Sequence, residues 1–403
     1  MEPTLVVVGL NHRTASVEVR ERFWMNEERR SHALSILSHA EGVEEAFVFS
    51  TCHRTEFVLW GDPTLAANSV LRFLAAEYDL KLCEWNHFYR LLDEQALAHC
   101  FGVSCSLDAM YVAEGQVARQ VNAAWQQARE AGSTGRFLDA VLRKALAVRR
   151  RVREETATDS RMISAPSAAL ELARQTLGPL AARNTVVLGA GRMSEVVAET
   201  LVSHGVNSVC LINRTYGRAL EVAGRIDASV CPFEERWTRL ATADLVISAT
   251  SAPGFILTAA EMRRVAAQRA GRKLVLIDLA LPRDVDPGVR EIEGMCLYDL
   301  DGLEHALEPP SAVQDGELAA QQVILAEVQG FRKELMADGV VPEILALHHR
   351  LEEICQQELE SFRLEQGPFP KDQDQLIAAV GVRITHKIAG SLARELRGAG
   401  SRL

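Results

Sequence analysis

The stretch "NTVVLGAGRMSEVVAETL" constrains the fold more than any other part of this sequence. It predicts a short apolar strand, a turn with two glycines, and a helix that is apolar on one face. A second apolar segment, "SVCLINRT", follows it, and "LVISAT" and "KLVLIDLA" come later. Strands that alternate with helices are typical of a parallel sheet with helices on both faces. We therefore predict an α/β domain with a doubly wound, Rossmann-type sheet.

The two glycines lie where a nucleotide-binding turn needs them. Glycine permits the tight turn and lets the backbone approach a pyrophosphate, whose charge then faces the helix N-terminus. Ser194 stands where a third glycine is usual, and serine is small enough to keep the helix packed on the strand. The candidate cofactor-binding residues of this turn are Gly189, Ala190, Gly191, Arg192, Met193 and Ser194.

The end of the second strand indicates which nucleotide binds. NAD sites place an acidic residue there to bind the ribose hydroxyls. Here the strand ends in Asn213, Arg214 and Thr215, so a cation stands where a carboxylate is expected. A 2′-phosphate would pair with Arg214 and the Thr215 hydroxyl, which favours NADPH. The alternative is that Arg214 is only a solvated surface charge.

The N-terminal part mixes strands with helices. The segments "TLVVVGL", "EAFVFST" and "EFVLWG" predict buried strands. Helical periodicity covers roughly residues 26–39, 64–78 and 93–103. Two longer helical stretches follow, separated by the turn "GSTG". This order predicts an α+β domain ahead of the nucleotide-binding one.

The motif "STCHRTE" carries the most reactive side chain of the N-terminal domain. A cysteine is most often a small buried hydrophobe, and that interpretation suits most of the eight cysteines. Cys52 differs because it ends a strand beside His53 and Arg54, two cations that favour a thiolate. A thiolate together with a nicotinamide indicates reduction of a thioester to an aldehyde. Arg54 would then clamp the carboxylate of an acidic substrate.

Composition excludes several classes of protein. The net charge of −10 argues against a general nucleic-acid coat protein. The cysteine spacing matches no metal-binding pattern, so we predict no metal site. The first apolar run is too short for a signal peptide, and none reaches membrane-spanning length. We expect a cytoplasmic protein.

The C-terminal part is helical and highly charged. The segment "EPPSAVQDG" (308–316) predicts a linker, and Gly339–Pro342 and "GPFPKD" predict breaks in the helical tail. The tail is too polar to form a core alone, so its apolar residues need a partner surface. A second copy of the chain is the simplest partner.

Several long motifs lie in order along almost the whole chain. They are "GLNHRTASVEVRERF", "STCHRTE", "SLDAMYVAEGQVARQV", "VREETA", "GAGRMSEVVA", "NRT", "IDLALPRDVDP" and "LYDLDGL". This series resembles the glutamyl-tRNA reductase family, whose nucleophile motif is STCNRTE. Motifs of this length are not explained by chance similarity.

The resemblance implies three domains: a catalytic domain over residues 1–157, an NADPH domain over 163–307 and a helical dimerisation domain over 313–403, with a long connecting helix. It implies that Cys52 attacks the ester of glutamyl-tRNA(Glu), and that NADPH reduces the thioester to glutamate-1-semialdehyde, the first step of tetrapyrrole synthesis. The implied partners are the tRNA substrate, a second copy in a homodimer, and glutamate-1-semialdehyde aminomutase in a transient complex.

The resemblance also implies the site residues. His99 joins Cys52 as a catalytic residue, and its role as base or as orienting group stays open. The positions that match substrate-binding ones are Thr51, His53, Arg54, Ala109, Glu114, Gly115, Gln116 and Gln120.

Four positions depart from the family pattern. His53 replaces Asn, Ala109 replaces a substrate-contacting Ser, Gly115 stands where many members have Pro, and Ser106 replaces Gly. They leave the nucleophile in place, but Ala109 and Ser106 favour an alternative, a catalytically weakened regulatory or binding homologue. A plain small-molecule dehydrogenase would leave the cysteine motif unexplained.

A tRNA substrate requires a phosphate-binding surface. Six cations cluster on one predicted helix and form a candidate surface, although such runs are often only solvated faces. They are Arg143, Lys144, Arg149, Arg150, Arg151 and Arg153.

Overall fold

The computed structural model describes residues 3–107, 116–156, 164–306 and 311–367; not described are the side chains of residues 116, 311–315, 335–353, 356 and 364–366. The chain divides into two compact units, residues 1–324 and 325–403. The first unit contains a four-stranded and a six-stranded sheet.

The four-stranded sheet belongs to the N-terminal domain. Its strands are β1 (Thr4–Asn11), β2 (Val43–Ser50), β3 (Arg54–Gly61) and β4 (Tyr89–Leu92). Their order is β2-β3-β1-β4, and every neighbouring pair is antiparallel. The two central strands are buried along almost their whole length, which explains their continuous apolar runs. The three predicted strands are confirmed, and the short strand β4 was not predicted.

Six helices accompany this sheet. They are α1 (Val17–Phe23), α2 (Glu27–Leu37), α3 (Pro63–Tyr78), α4 (Asp93–Ser104), α5 (Gln116–Glu130) and α6 (Arg136–Thr156). A 3₁₀-helix, Leu82–His87, precedes β4. The Asn26 side chain accepts a hydrogen bond from Arg29 N–H and begins α2, and Asp62 caps α3 in the same way. Helix α1 was not predicted, because it has only seven residues.

The end of α4 is tied to α6 by a departure from the family pattern. Ser106 has a φ of 65°, a left-handed conformation that favours glycine. Its hydroxyl accepts a hydrogen bond from Arg149 Nη1 at 3.1 Å, and the same nitrogen donates to Ser104 O at 3.2 Å. This bond offsets the backbone cost of a serine there. It also corrects the predicted cation surface, because Arg149 is buried and not available to a tRNA phosphate.

The six-stranded sheet is parallel throughout. Its strands are β5 (Asn184–Leu188), β6 (Ser208–Asn213), β7 (Ser229–Pro232), β8 (Leu245–Ser248), β9 (Leu274–Asp278) and β10 (Met295–Tyr298). The order is β10-β9-β8-β5-β6-β7, so the chain runs outward from β5 and then crosses to the other side. The predicted doubly wound sheet is confirmed. Ligands of such sheets bind at the carboxyl ends of the strands, where the order reverses.

Helices flank the parallel sheet. They are α7 (Ala165–Leu177), α8 (Arg192–Ser203), α9 (Tyr216–Ile226), α10 (Arg236–Thr242), α11 (Ala259–Gln268) and α12 (Leu300–Ala306). Two 3₁₀-helices, Phe233–Glu235 and Pro287–Glu291, lie between them. The Ser164 hydroxyl accepts a hydrogen bond from Ser167 N–H and begins α7.

The C-terminal part differs from the sequence prediction. One helix, α13, runs from Ser311 to Gln366, so residues 311–316 of the predicted linker are helical. The helix also continues through Gly339–Pro342, where a break was predicted. A proline removes a single backbone donor, and the long helical segments on both sides carry the chain through that position.

Candidate active site

Cys52 lies in the tight turn between β2 and β3. Thr51 N–H donates to Arg54 O at 2.8 Å and closes the turn, and His53 N–H donates to Thr51 Oγ1 at 3.2 Å. His12 N–H donates to His53 O at 2.9 Å and joins the turn to the end of β1. The backbone around Cys52 is therefore fixed by three hydrogen bonds.

The environment of the Cys52 thiol opposes its ionisation. Burial raises the pKa of Cys52 above the ordinary thiol value of 9.0, and the nearby Arg20 and Arg54 only partly offset it. Arg20 contributes more than Arg54 to this offset. Cys52 is half-buried and packs against the apolar core of the parallel-sheet domain. The thiol is therefore largely protonated at neutral pH.

His53 does not supply the cation that the sequence predicted. Burial, followed by the charges of His12, Arg20 and Arg54, lowers the pKa of His53 to about 3. Its ring is neutral at pH 7, and its Nε2 is buried without a hydrogen-bond partner. The prediction that His53 favours the thiolate is wrong, because sequence proximity does not reveal burial among other cations.

Glu56 is the centre of a buried hydrogen-bond network on β3. Its Oε1 accepts hydrogen bonds from Arg54 Nη1 at 2.7 Å, from Tyr89 OH at 2.5 Å and from His99 Nε2 at 2.9 Å. Its side chain is only 3 % exposed. Burial opposes ionisation, but His99 and Arg54 outweigh it and hold the pKa of Glu56 well below its usual 4.5. Glu56 is therefore a carboxylate that orients two predicted site residues, Arg54 and His99.

The space for Glu56 depends on a glycine in the neighbouring strand. Gly9 on β1 lies directly opposite Glu56 in the antiparallel register. A Cβ atom at Gly9 would come within 2.7 Å of Glu56 Cγ and 2.8 Å of Thr55 O. Any larger residue at this position must displace Glu56 or spread the strands.

A second site lies at the switch point of the parallel sheet. A cavity of about 530 Å³ opens there and is lined by eight of the nine predicted cofactor-binding residues. They are Gly189, Ala190, Gly191, Arg192, Met193, Asn213, Arg214 and Thr215. A cavity of this size is in the range of cofactor sites.

The glycine turn fits a dinucleotide. Gly189 has a φ of 109°, and a Cβ there would lie 2.5 Å from Ser194 Oγ. A Cβ at Gly191 would meet no atom within 4 Å, so the backbone faces open space just before α8 begins. Ser194 itself is not part of the cavity wall. It is buried beneath the turn, where its hydroxyl donates to Ala249 O at 3.0 Å.

Two buried carboxylates hold the opposite wall of the cavity. Asp284 accepts hydrogen bonds from Ser248 Oγ at 2.6 Å and from Thr250 N–H at 2.8 Å. Thr250 lines the cavity. Asp278 accepts the backbone N–H groups of Asp284 and Val285 at 2.8 and 2.9 Å. Burial and the charge of Asp284 raise the pKa of Asp278 to about 8.

The remaining predicted residues are only partly described. Ala109, Glu114 and Gly115 lie outside the described residues. Gln116 begins α5, and its side chain is also outside the description. Gln120 is half-buried on α5, a helix that packs against α4, which carries His99.

The sequence analysis missed functional groups in both sites. Arg20 and Glu56 are buried charged residues. The other residues of the motifs that contain them are apolar or already had a predicted role. A cation at i+3 on the buried face of α1, between Val17 and Phe23, is the signal that could have identified Arg20. Arg218 also lines the cavity, and its Nε donates to Ala190 O at 3.0 Å.

Two classes of site are absent from the part of the chain that the structure describes. No group of three or more His, Cys, Asp or Glu side chains there could hold a metal ion. None of the helices in those residues combines the length and apolar character needed to cross a bilayer.

The raised pKa of Cys52 generates a prediction for its alkylation. Because only the thiolate reacts, the rate of Cys52 modification by iodoacetamide should rise about tenfold per pH unit up to at least pH 9. Mass spectrometry of the Cys52 peptide measures the rate. The Cys52→Ala protein gives the background of the other cysteines. A plateau below pH 8 would show instead that the site stabilises the thiolate.

Comparison with known proteins identifies the family. A family model described as "Glutamyl-tRNAGlu reductase, N-terminal domain" matches residues 8–156, and "Glutamyl-tRNAGlu reductase, dimerisation domain" matches residues 319–402. Between them, "Shikimate / quinate 5-dehydrogenase" matches residues 171–306. The chain thus contains a nicotinamide-cofactor domain of the dehydrogenase type and a homodimerisation domain.

Individual relatives agree with these models. The glutamyl-tRNA reductase of Desulforudis audaxviator is 39 % identical over 358 residues, which cover 88 % of this chain and 80 % of that protein. Glutamyl-tRNA reductase 2 of Koribacter versatilis is 35 % identical over 385 residues, covering 95 % and 88 %. A solved structure, glutamyl-tRNA reductase from Methanopyrus kandleri, is 28 % identical, covers 98 % of both chains and has a TM-score of 0.45. The chain belongs to the glutamyl-tRNA reductase family.

Proposed function

We propose that this protein reduces glutamyl-tRNA(Glu) to glutamate-1-semialdehyde with NADPH, through a thioester on Cys52, as the first step of tetrapyrrole synthesis. The observation that carries the proposal is the contact of Cys52 with the apolar core of the cofactor domain. Cys52 and the dinucleotide cavity also belong to the same compact unit, residues 1–324. This arrangement suits transfer of a hydride to an acyl group held on sulphur.

In the first step, Cys52 Sγ attacks the carbonyl carbon of the glutamyl ester. The C–S bond forms, the C–O bond to the tRNA ribose breaks, and the ribose oxygen takes a proton. His53 is a poor store for the thiol proton because its pKa is about 3. His99, which hydrogen-bonds to Glu56 at 2.9 Å, is the proposed store for this proton.

Arg54 is the proposed clamp for the substrate carboxylate. It is almost fully buried, and its bond to Glu56 fixes the plane of the guanidinium before the substrate binds. A preorganised guanidinium loses little conformational entropy when it binds a second carboxylate. Thr51, Gln116 and Gln120, together with Ala109, Glu114 and Gly115, complete the proposed glutamyl site by their family positions.

In the second step, the thioester carbonyl is reduced to the aldehyde, and NADPH bound in the cavity would supply the hydride. The C–S bond breaks, and Cys52 leaves as a thiolate that regains its proton from solvent or His99. The packing of Cys52 against the cofactor domain would limit the access of water to the thioester and so favour reduction over hydrolysis. Gly189, Gly191 and the N-terminus of α8 would hold the pyrophosphate, and Arg214 with Thr215 would hold the 2′-phosphate.

The proposed enzyme has three domains and is a homodimer. The domains occupy residues 1–157, 163–307 and 313–403, and two chains pair through the last. We place the enzyme in the cytoplasm, where the reactive aldehyde passes to glutamate-1-semialdehyde aminomutase in a transient complex.

The direct test uses glutamyl-tRNA(Glu) with and without NADPH. Wild type should form semialdehyde with NADPH and only slowly release glutamate without it. Cys52→Ser should lose reduction by several orders of magnitude, because a serine alkoxide scarcely forms at neutral pH without a strong base. Binding of both substrates without semialdehyde in wild type would favour the regulatory homologue instead. Near-normal reduction by Cys52→Ser would exclude the thioester.

The choice of cofactor is tested at Arg214. Arg214→Ala should weaken NADPH binding by roughly 1.5–3 kcal/mol, the scale of a hydrogen bond to a charged group, and should leave NADH binding almost unchanged. Fluorescence titration measures both dissociation constants. Arg225→Ala is the matched control, because Arg225 is an exposed arginine of the same domain paired with Glu195. Equal losses for both cofactors would remove Arg214 from the 2′-phosphate role.

The role of Glu56 is tested by a pair of substitutions. Glu56→Gln should lower kcat/KM at least about tenfold, because Arg54 and His99 lose a buried charged acceptor. Gly9→Ala should act in the same direction without touching a titratable group, since its Cβ would displace Glu56. Steady-state kinetics and circular dichroism separate activity from folding. Full activity in both folded variants would show that Arg54 and His99 do not depend on Glu56.

A further inference from the structure

Helix α1 of the catalytic domain is bound at its first turn by a carboxylate of the cofactor domain. Asp301 Oδ2 accepts a hydrogen bond from Val17 N–H at 2.7 Å, and its Oδ1 accepts from Arg20 Nη2 at 2.8 Å. The Arg20 side chain is 1 % exposed and that of Asp301 is 23 % exposed. One aspartate from α12 therefore holds both the backbone and the buried cation of α1.

Arg20 also reaches the nucleophile. Its Nε donates to the backbone carbonyl of Cys52 at 3.3 Å, and its Nη1 donates to Ala15 O at 2.8 Å. A planar guanidinium can hold these acceptors and Asp301 at once, which a lysine cannot. The same side chain thus touches the Cys52 turn on one side and the cofactor domain on the other.

Two further ion pairs bind α1 through Glu18 and Glu21. Arg283 Nη2 and Nε donate to Glu21 at 2.7 and 3.0 Å, and Nη1 donates to Glu18 at 3.1 Å. The Arg283 side chain is 6 % exposed. The next residue, Asp284, holds Thr250 in the wall of the cofactor cavity. This second contact therefore joins α1 to the segment that shapes the cofactor site.

We propose that Arg20 is a positioning residue that couples the Cys52 turn to the cofactor domain through Asp301, so that the thioester is formed where it is reduced. The inference deepens the proposed function and rests on it. Asp301 and the Arg283 contacts keep the cofactor domain closed over Cys52 during the life of the thioester. When this closure is weakened, water reaches the acyl group, and the thioester breaks down to glutamate and free thiol instead of semialdehyde.

The charge of Arg20 acts on the acylation step as well. Arg20 is the strongest group that counteracts the effect of burial on the Cys52 pKa. Substitutions that keep this cation should therefore spare acylation, and those that remove it should not. The two consequences, coupling and thiol activation, can be measured separately.

The test measures how the acyl-enzyme partitions. With saturating NADPH, the ratio of semialdehyde to glutamate reports reduction against hydrolysis. Single-turnover tRNA release without NADPH reports acylation. Asp301→Asn should lower the ratio about tenfold, the effect of losing a charged hydrogen bond, and should keep acylation within about threefold of wild type. Glu21→Gln, which weakens the second contact, should lower the ratio in the same direction by a smaller factor.

Two arginine variants separate charge from geometry. Arg20→Lys keeps the positive charge but loses the planar group that donates several hydrogen bonds at once. The ratio of semialdehyde to glutamate should therefore fall, while the pH profile of Cys52 alkylation stays unchanged. Arg20→Met should also shift that profile to higher pH. Glu171→Gln is the matched control, since Glu171 forms an exposed ion pair with Arg174 in the cofactor domain and should change neither readout.

The outcomes are distinguishable. A wild-type ratio in folded Asp301→Asn, or in Glu21→Gln where the former does not fold, would overturn the coupling role. Equal losses of acylation and reduction in Asp301→Asn would also overturn it, because that result indicates a structural role only. A wild-type enzyme that releases tRNA but forms no semialdehyde would instead overturn the proposed function.

Discussion

The catalytic domain depends on one buried carboxylate. Glu56 stands inside the sheet with three donors on a single oxygen, and burial alone would force it to become neutral. It stays ionised because Arg54 and His99 surround it. The cost of burying these charges is offset only while all of them are present and well aligned. The strand register with Gly9 opposite Glu56 is therefore a requirement of the site as well as of the fold.

The contact between the two domains is subject to two opposing requirements of the reaction. A thioester must be open to a large tRNA when it forms and closed to water when it is reduced. The Arg20 and Arg283 side chains are buried, so breaking their ion pairs leaves uncompensated charges, and this cost favours the contact between the domains. In the proposed mechanism, the ion pairs around α1 keep the two domains in contact while the thioester is reduced.

The sequence predicted those features that depend on local pattern. The glycine turn, the parallel sheet and the two strands on either side of Cys52 follow from periodicity and spacing within about thirty residues. Contacts between residues far apart in the chain could not be predicted from the sequence. Asp301 and Arg20 are 281 residues apart in the chain, and no local pattern indicates that they meet. The same holds for Tyr89, which joins the Glu56 network from a strand too short to be predicted. The predicted helix break at Gly339–Pro342 failed for the opposite reason, because local propensity was given more weight than the length of the helix.

The electrostatics of Cys52 show why burial can be an advantage here. A more exposed thiol beside a charged histidine would be a stronger nucleophile, and the sequence predicted that arrangement. The structure has a half-buried thiol with a raised pKa and a neutral His53. Burial lowers the thiolate fraction, but a glutamyl ester of tRNA is an activated acyl group and needs no exceptional nucleophile. The same burial shields the thioester from water, and its hydrolysis would waste an aminoacylated tRNA. In the proposed mechanism, Arg20 restores part of the thiolate population and also holds the cofactor domain against the Cys52 turn.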